Sequence, residues 1–286
     1  MALYKPSTLR AFLEEIDASP KKSLSQNFLI DGNIIRKIVT LAGVEPGDFV
    51  LEIGPGPGVL TEELLARGAH VLAVEKDRKF ASALTRLQTE DKRLTVIEGD
   101  ILELDLSKRL KPKTKLVANL PYQITTPILT EFLPKKEFFE SMTVMVQKEV
   151  SARFIAKPST KDYSSITVFV EFYSEPEFGF TVEPTCFYPP PRVKSAVVKF
   201  KLKDHPPVSS EADFFEMTRK AFQQRRKMIR SSLKLVYEQA SIDTGLEKIG
   251  KGLQVRPENL SLADFLILSH EIHKKEGDLP TQKKRQ

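Results

Sequence analysis

The chain has 286 residues, a formal net charge of +6, and 41% hydrophobic, 29% charged and 8% aromatic residues. That excludes a disordered, collagenous or coiled-coil protein and suggests one large domain plus a small one. The longest apolar runs, such as Ile166–Val170, fall far short of the ~20 residues a membrane helix needs, and the single cysteine, Cys186, excludes an internal disulfide and cysteine-built metal or iron–sulfur clusters.

At the N-terminus, Glu14, Glu15 and Asp17 stand where a signal segment would carry an apolar core, so a cytoplasmic protein is expected. Two helical segments, Ser7–Ile16 and Asp31–Ala42, are joined by the polar stretch Ser19–Gln26 and should pack on a sheet edge or cover its ligand end. Next, Phe49–Ile53, Val71–Glu75, Leu94–Ile97, Lys115–Ala118 and Met142–Val146 read as strands rich in Val, Ile and Leu, as expected of strands buried on both faces. The intervening Leu60–Arg67, Arg78–Leu87 and Thr126–Leu133 have helical spacing. Repeated βα units with right-handed crossovers follow. After Pro158 come Ser164–Tyr173, Glu177–Val182, the cluster Pro189-Pro190-Pro191, and Ser195–Leu202, whose alternation reads as an antiparallel strand at the sheet's end. Asp204–Ser210, with Pro206 and Pro207, is the candidate linker. Phe214–Tyr237, Asp243–Ile249 and Ser261–Lys275 are helical, and Lys283-Lys284-Arg285 reads as a frayed tail. The expected domains are therefore 1–203 and 204–286.

Charge is unevenly spread. Residues 200–286 hold 17 Lys and Arg against 12 Asp and Glu, while residues 1–199 hold 27 against 26. Such asymmetry favours a polyanionic partner. Between Met217 and Tyr237 there are seven Lys and Arg and no acidic residue. At ~100° per residue Lys220, Lys227, Arg230 and Lys234 share one side of a helix, and Phe215, Phe222, Ile229, Leu233 and Val236 another. With Arg226, these basic residues are the candidate phosphate contacts, on one helix or, if a break falls near Gln223–Arg225, on two.

Glu52-Ile53-Gly54-Pro55-Gly56-Pro57-Gly58 follows the first buried strand, where glycines let a turn pass close to a ligand. The third glycine comes one residue too early for the dinucleotide fingerprint, with Val59 in the place it needs, which argues against NAD. Glu75, 21 residues after Gly54, ends the second strand where a carboxylate can accept both ribose hydroxyls. Asp100, ending the third, can accept from an adenine amino group. These strand ends suit a nucleoside without a pyrophosphate. The fourth ends in Asn119-Leu120-Pro121-Tyr122. An amide oxygen from Asn119 and the carbonyl of Leu120 can accept the two N–H bonds of an exocyclic amine and free its lone pair for an electrophile, while Tyr122 offers a stacking face for an extruded base.

These motifs resemble the S-adenosylmethionine-dependent ribosomal RNA adenine dimethyltransferases, relatives of the erythromycin-resistance methyltransferases. The resemblance covers nearly the whole chain. It implies a Rossmann-like seven-stranded α/β sheet with its last strand antiparallel and a small all-α C-terminal domain that binds RNA. Ser25-Gln26-Asn27-Phe28-Leu29 looks like the family's N-terminal cofactor motif. By resemblance, Gln26, Asn27, Leu29, Gly54, Gly56, Glu75, Lys76, Asp100, Ile101 and Asn119 contact the methyl donor. Asn119, Leu120 and Tyr122 handle the target base, and Phe187, in Phe187-Tyr188-Pro189-Pro190-Pro191-Arg192-Val193-Lys194-Ser195, helps hold it. Arg256-Pro257-Glu258-Asn259-Leu260 is similar to the ribosomal members' C-terminal domain, whereas Glu183-Pro184-Thr185 lacks a second proline expected in many members. The implied reaction is double methylation of N6 on two neighbouring adenines near the 3′ end of small-subunit ribosomal RNA, within a pre-ribosomal particle, by a monomer that needs no metal.

Other signals point elsewhere and are weaker. Gly245–Gly252 nearly spells a phosphate loop, but Gly252 replaces the metal-binding hydroxyl and no buried strand precedes it, so a helix end and turn are expected. His270 and His273 lack ligand partners at suitable spacing, and Cys186 reads as a small buried residue. Two rival functions remain: a non-catalytic assembly factor of the same fold, which could lose Asn119 or Tyr122, and a DNA adenine methyltransferase, which would lack the small helical domain.

Overall fold

The structure, a computed structural model, describes residues 3–274. Helix α1 (Pro6–Glu15) begins on a proline, whose fixed φ suits a first turn. Strand β1 (Phe28–Leu29) follows. Helix α2 (Gly32–Ala42) is capped by Asp31, whose carboxylate accepts the backbone N–H groups of Asn33 and Ile34. Then come β2 (Phe49–Ile53), α3 (Val59–Ala66), β3 (His70–Glu75), α4 (Arg78–Ala83), β4 (Leu94–Glu98), β5 (Thr114–Asn119), α5 (Thr125–Phe132), β6 (Phe139–Gln147) and α6 (Lys148–Phe154). Apart from α6, a helix the sequence reading does not include, these match the expected βα units within a few residues. Helix α7 (Ser165–Tyr173), β7 (Ser174–Val182), β8 (Phe187–Tyr188) and β9 (Ser195–Leu202) complete the strands.

Seven strands form one sheet in the order β4-β3-β2-β5-β6-β9-β7, parallel except that β9 runs antiparallel to both β6 and β7. Val50, Val71 and Val117 bury one face against Ile38, Leu60 and Leu64 of α2 and α3. The expectation that Ser195–Leu202 ends the sheet is corrected. Ala196, Val197, Val198 and Phe200 are fully buried because a neighbour flanks each side, and β7 takes the edge. Pro176 in β7 lacks an N–H to donate, which an edge strand tolerates. A second, two-stranded sheet pairs β1 with β8, Phe28 opposite Tyr188 and Leu29 opposite Phe187.

The chain forms two compact units. One covers the described residues up to Ile155 together with Tyr173–Asp204; the other combines Ala156–Phe172 with the described residues from His205 on. Residues 156–172 therefore join the C-terminal helices, so the units do not divide simply at 203/204. Aromatic packing accounts for this: Phe169 stands 4.9 Å from Phe215, and Phe172 5.2 Å from Phe214.

The second unit also holds α8 (Glu211–Phe222), α9 (Ile229–Leu233), α10 (Gln239–Ile249) and α11 (Leu262–Ile272). The segment Phe214–Tyr237 is thus two helices. Arg225 turns to bond the Lys161 carbonyl at 2.8 Å and Glu258 at 3.2 Å, and the Ile229 N–H bonds the Val255 carbonyl at 2.9 Å. Tertiary partners override the helical pattern there. Gly245–Gly252 is a helix end and turn, as expected. The predicted helix end at Lys275 and the tail at 283–285 lie outside the described residues. Among those residues, no helix is long and apolar enough to cross a membrane.

Candidate functional site

The carboxyl ends of β2, β3 and β5 and the turn after β4 open on a cavity of about 200 Å³, where ligands of open α/β sheets bind. Gly54, Gly56, Glu75, Lys76, Asp100, Ile101 and Asn119–Tyr122 line it, and Ser23–Phe28 close another side. Lys21 anchors this covering segment through a 2.8 Å ion pair with the nearly buried Asp77, which Gln26 also reaches at 3.4 Å.

Gly56 has φ +55°, and a Cβ there would stand 2.8 Å from the Phe28 ring. The glycine loop and the covering segment therefore meet at a contact no side chain would allow. Gly58, at φ +86°, starts α3, and a Cβ on it would meet Leu84 at 2.6 Å. Close packing and a left-handed φ at the helix start therefore require glycine at position 58.

Glu75 is 5% exposed, and both its oxygens already accept backbone N–H groups: Oε2 from Gly56 and Oε1 from Asp77, each at 2.8 Å. A carboxylate has about four acceptor positions. Glu75 thus braces the glycine loop and keeps lone pairs for further hydrogen-bond donors. Burial raises its pKa, partly offset by these N–H bonds. Asp100 accepts from Lys76 Nζ at 2.6 Å and from the Leu102 N–H at 3.1 Å, and the Lys76 hydrogen bond lowers its pKa.

Asn119 Nδ2 donates to the Asn27 carbonyl at 3.0 Å. The amide oxygen is then left as the acceptor for a ligand N–H. Tyr122 OH and Ser195 Oγ lie 2.8 Å apart, which fixes the ring next to the cavity wall; burial raises the phenol's pKa. Neither Asn27's carbonyl nor Ser195 stood out in the sequence.

Leu29 and Phe187 do not line the cavity. Paired across β1 and β8, they are 1% and 2% exposed and lie in the core, where they secure the covering segment. Cys186 is half-buried, its Sγ 3.8 Å from Asp31 Oδ2.

Ahead of the glycine loop, Glu52 is 1% exposed with no hydrogen-bond partner for either oxygen. Burial pushes its pKa up to about 8; Thr61 beside it, outside hydrogen-bonding geometry, offsets only part, and Glu75 adds repulsion. A carboxyl in an otherwise apolar strand, Phe49-Val50-Leu51-Glu52-Ile53, was the available sequence signal. Between the unfolded value near 4.5 and about 8 the folded state holds a proton that the unfolded state has lost. Its contribution is therefore complete at low pH and disappears as pH rises across that window. Glu52→Gln should remove this decline and stabilise the protein by on the order of 4 kcal/mol at pH 9, with little change at pH 4.5. Denaturant melts of both proteins at the two pH values check it.

A model of the ribosomal RNA adenine dimethylase family matches residues 18–274. The chain belongs to that family. Ribosomal RNA small subunit methyltransferase A of Protochlamydia amoebophila is 53% identical over 282 residues, 96% of this chain and 99% of the relative. Among solved structures, a dimethyladenosine transferase from Plasmodium falciparum has a TM-score of 0.75 at 26% identity, covering 84% of this chain and 95% of that one. The 23S rRNA methyltransferase ErmE has a TM-score of 0.67 at 27% identity over 86% and 99% of the two chains. Family membership makes the chain a ribosomal RNA methyltransferase.

For this dimethylase, the expected basic stripe in the second unit needs revision. Because α8 and α9 are separate helices, Lys220, Lys227, Arg230 and Lys234 do not share one helical face. Arg230 bonds both oxygens of Asp243, at 2.6 and 2.7 Å, so its charge is neutralised locally. Arg226, Lys227 and Lys234 are exposed and Lys220 is half-buried. Val236, expected on the apolar stripe, is 48% exposed.

Proposed function

We propose that this chain transfers methyl groups from S-adenosylmethionine to N6 of two neighbouring adenines near the 3′ end of small-subunit ribosomal RNA, twice on each base. The observation that carries this reading is the Asn119 amide, whose NH₂ group is committed to the Asn27 carbonyl while its oxygen stays available beside the cavity. The cavity suits the donor: Glu75 has lone pairs for ribose hydroxyls, Asp100 can accept from an adenine amine, and the glycine loop needs no pyrophosphate. S-adenosylmethionine, when bound, supplies an electrophilic methyl on a sulfonium.

Asn119 Oδ1 and the Leu120 carbonyl accept the two N–H bonds of the target amine, turning its lone pair toward the methyl. Tyr122 stacks on the extruded base. No general base is required before the attack: the N–C bond would form as the methyl's bond to sulfur breaks, the neutral thioether S-adenosylhomocysteine would leave, and the methylated amine would then release its proton to water. Positioning supplies most of the acceleration. Phe187, buried and paired with Leu29, supports the covering segment rather than touching the base.

The second unit binds the RNA backbone through Lys220, Arg226, Lys227 and Lys234, and the substrate is a pre-ribosomal particle met in the cytoplasm by a monomer. Phosphate contacts position the particle, and the cavity selects the adenine.

The Tyr122–Ser195 bond gives a test of the stacking role. Tyr122→Phe and Ser195→Ala should each slow single-turnover transfer about two- to tenfold, the worth of one neutral hydrogen bond. Combined, they should cost no more than either alone, since both remove the same bond. Tyr122→Ala should cost about 1–3 kcal/mol more, as the stack is lost.

The activity itself is tested by incubating the protein and labelled donor with unmethylated small ribosomal subunits or with adenine-containing duplex DNA. Label in ribosomal RNA alone is expected; label in DNA, or in neither, contradicts the proposal.

A further inference from the structure

At the amino ends of the parallel strands, opposite the donor cavity, lies a second cavity of about 320 Å³ that shares no lining residue with the first. It surrounds the first residues of β2, β3 and β5, away from the strand ends where the methyl donor is expected. We propose that this cleft binds the phosphate backbone of the ribosomal RNA substrate, through Lys92, Arg109 and Lys111 arranged around a Phe49–His70 ring stack. The proposal rests on the chain's action on ribosomal RNA and adds a contact remote from the reacting base.

The lining is basic. His70, Lys92, Arg93, Arg109 and Lys111 contribute to it and, among the described residues, no carboxylate does. The donor cavity, by contrast, has Glu75 and Asp100 on its wall. Two nearby carboxylates are already engaged. Asp48 pairs with Lys115 at 2.7 Å, and Asp91 pairs with Arg93, whose Nη1 also donates to the Leu65 carbonyl at 2.8 Å. Arg93 is therefore held in place with its charge balanced, and Lys92, Arg109 and Lys111 supply the cleft's unbalanced charge.

Strand register builds the platform beneath them. Phe49 and His70 are partners at the starts of β2 and β3, and their rings stack at 4.9 Å between centroids with planes 14° apart. The Lys111 ammonium stands 3.5 Å from the Phe49 ring centroid. An aromatic face holds a cation in place without cancelling its charge, as a carboxylate would. The result is a positioned ammonium whose remaining protons are free for an anion. Lys92 and Arg109 are exposed and can follow a backbone without reading bases, which is how phosphate contacts add affinity and orientation.

The test uses the full chain, Arg109→Ala with Lys111→Ala, and Lys92→Glu as a charge reversal. Binding to purified small subunits is measured over a range of salt concentrations. The double variant should bind several-fold more weakly, with the log–log salt slope lower by about two, and Lys92→Glu should weaken binding as well. Donor affinity and turnover at saturating subunits should remain those of the parent. Unchanged affinity and slope in these variants overturn the proposal. A photo-cross-linking amino acid at position 92 should attach to ribosomal RNA; attachment to a ribosomal protein instead overturns it. Inorganic pyrophosphate distinguishes a small-anion site: saturation of the His70 ring signals by pyrophosphate, with subunit binding unaltered in the variants, also overturns it. Failure of the methylation reading would appear separately, as absence of transfer by the parent protein.

Discussion

Asn119→Ala should lower the single-turnover rate of methyl transfer by about 10²–10³, the cost of removing one positioned hydrogen bond made in the transition state. Binding of donor and of the ribosomal particle should change much less. The amide does two jobs that alanine cannot do. Its Nδ2 ties β5 to the covering segment through the Asn27 carbonyl at 3.0 Å, and its oxygen is the acceptor proposed for the amine N–H. Asn119→Asp separates them. It keeps an acceptor but turns the donor toward Asn27 into a second oxygen facing a carbonyl, so it should be impaired nearly as much as alanine. Rapid-quench measurements on small subunits check both. An Asn119→Ala rate within about threefold of the parent would remove this residue from the proposed chemistry, because even a modest neutral hydrogen bond is worth about that much.

Glu75→Ala should weaken S-adenosylmethionine binding by about 1.5–3 kcal/mol, or roughly 10- to 150-fold, the usual worth of hydrogen bonds to a charged group. The loss combines two effects. The ribose loses its acceptors, and the N–H groups of Gly56 and Asp77 lose theirs, so the loop relaxes. Glu75→Gln should fare little better, because its NH₂ would face one of those N–H groups. The pH dependence gives an independent reading. If ribose hydroxyls donate to the charged carboxylate as proposed, donor affinity should rise with pH through the Glu75 pKa, which burial holds above its ordinary value. Above that pKa it should level off. Glu75→Gln should show no such rise in calorimetric titrations, and a rise that survives the substitution would assign the effect to another group.

The parallel half of the sheet was legible because strands buried on both faces leave nearly continuous Val, Ile and Leu runs, as in Val71-Leu72-Ala73-Val74 before Glu75. Once those strands were placed, the residues at their ends, Glu75, Asp100 and Asn119, followed from chain order. What was not legible depends on partners distant in sequence. The alternation in Ser195–Leu202 marks a strand but not its neighbours, and its place between β6 and β7 is set by pairing that alternation does not encode. The break after α8 depends on Arg225 reaching Lys161 and Glu258, which no helical periodicity encodes. Arg230 reads in sequence as a phosphate ligand, but Asp243, 13 residues away, neutralises it. Asn27 was expected as a donor contact, yet its bond to Asn119 is made by a backbone carbonyl, a group every residue carries.

The most direct measurement is mass-spectrometric mapping of the ribosomal RNA after reaction of unmethylated small subunits with S-adenosylmethionine, using the parent protein and Asn119→Ala. The parent should yield N6,N6-dimethyladenosine at two adjacent positions near the 3′ end of the small-subunit RNA, and the variant only traces at the same time points. Methyl groups at another atom or another kind of base, or equal products from both proteins, would contradict the assignment of this cavity and of Asn119 to adenine dimethylation.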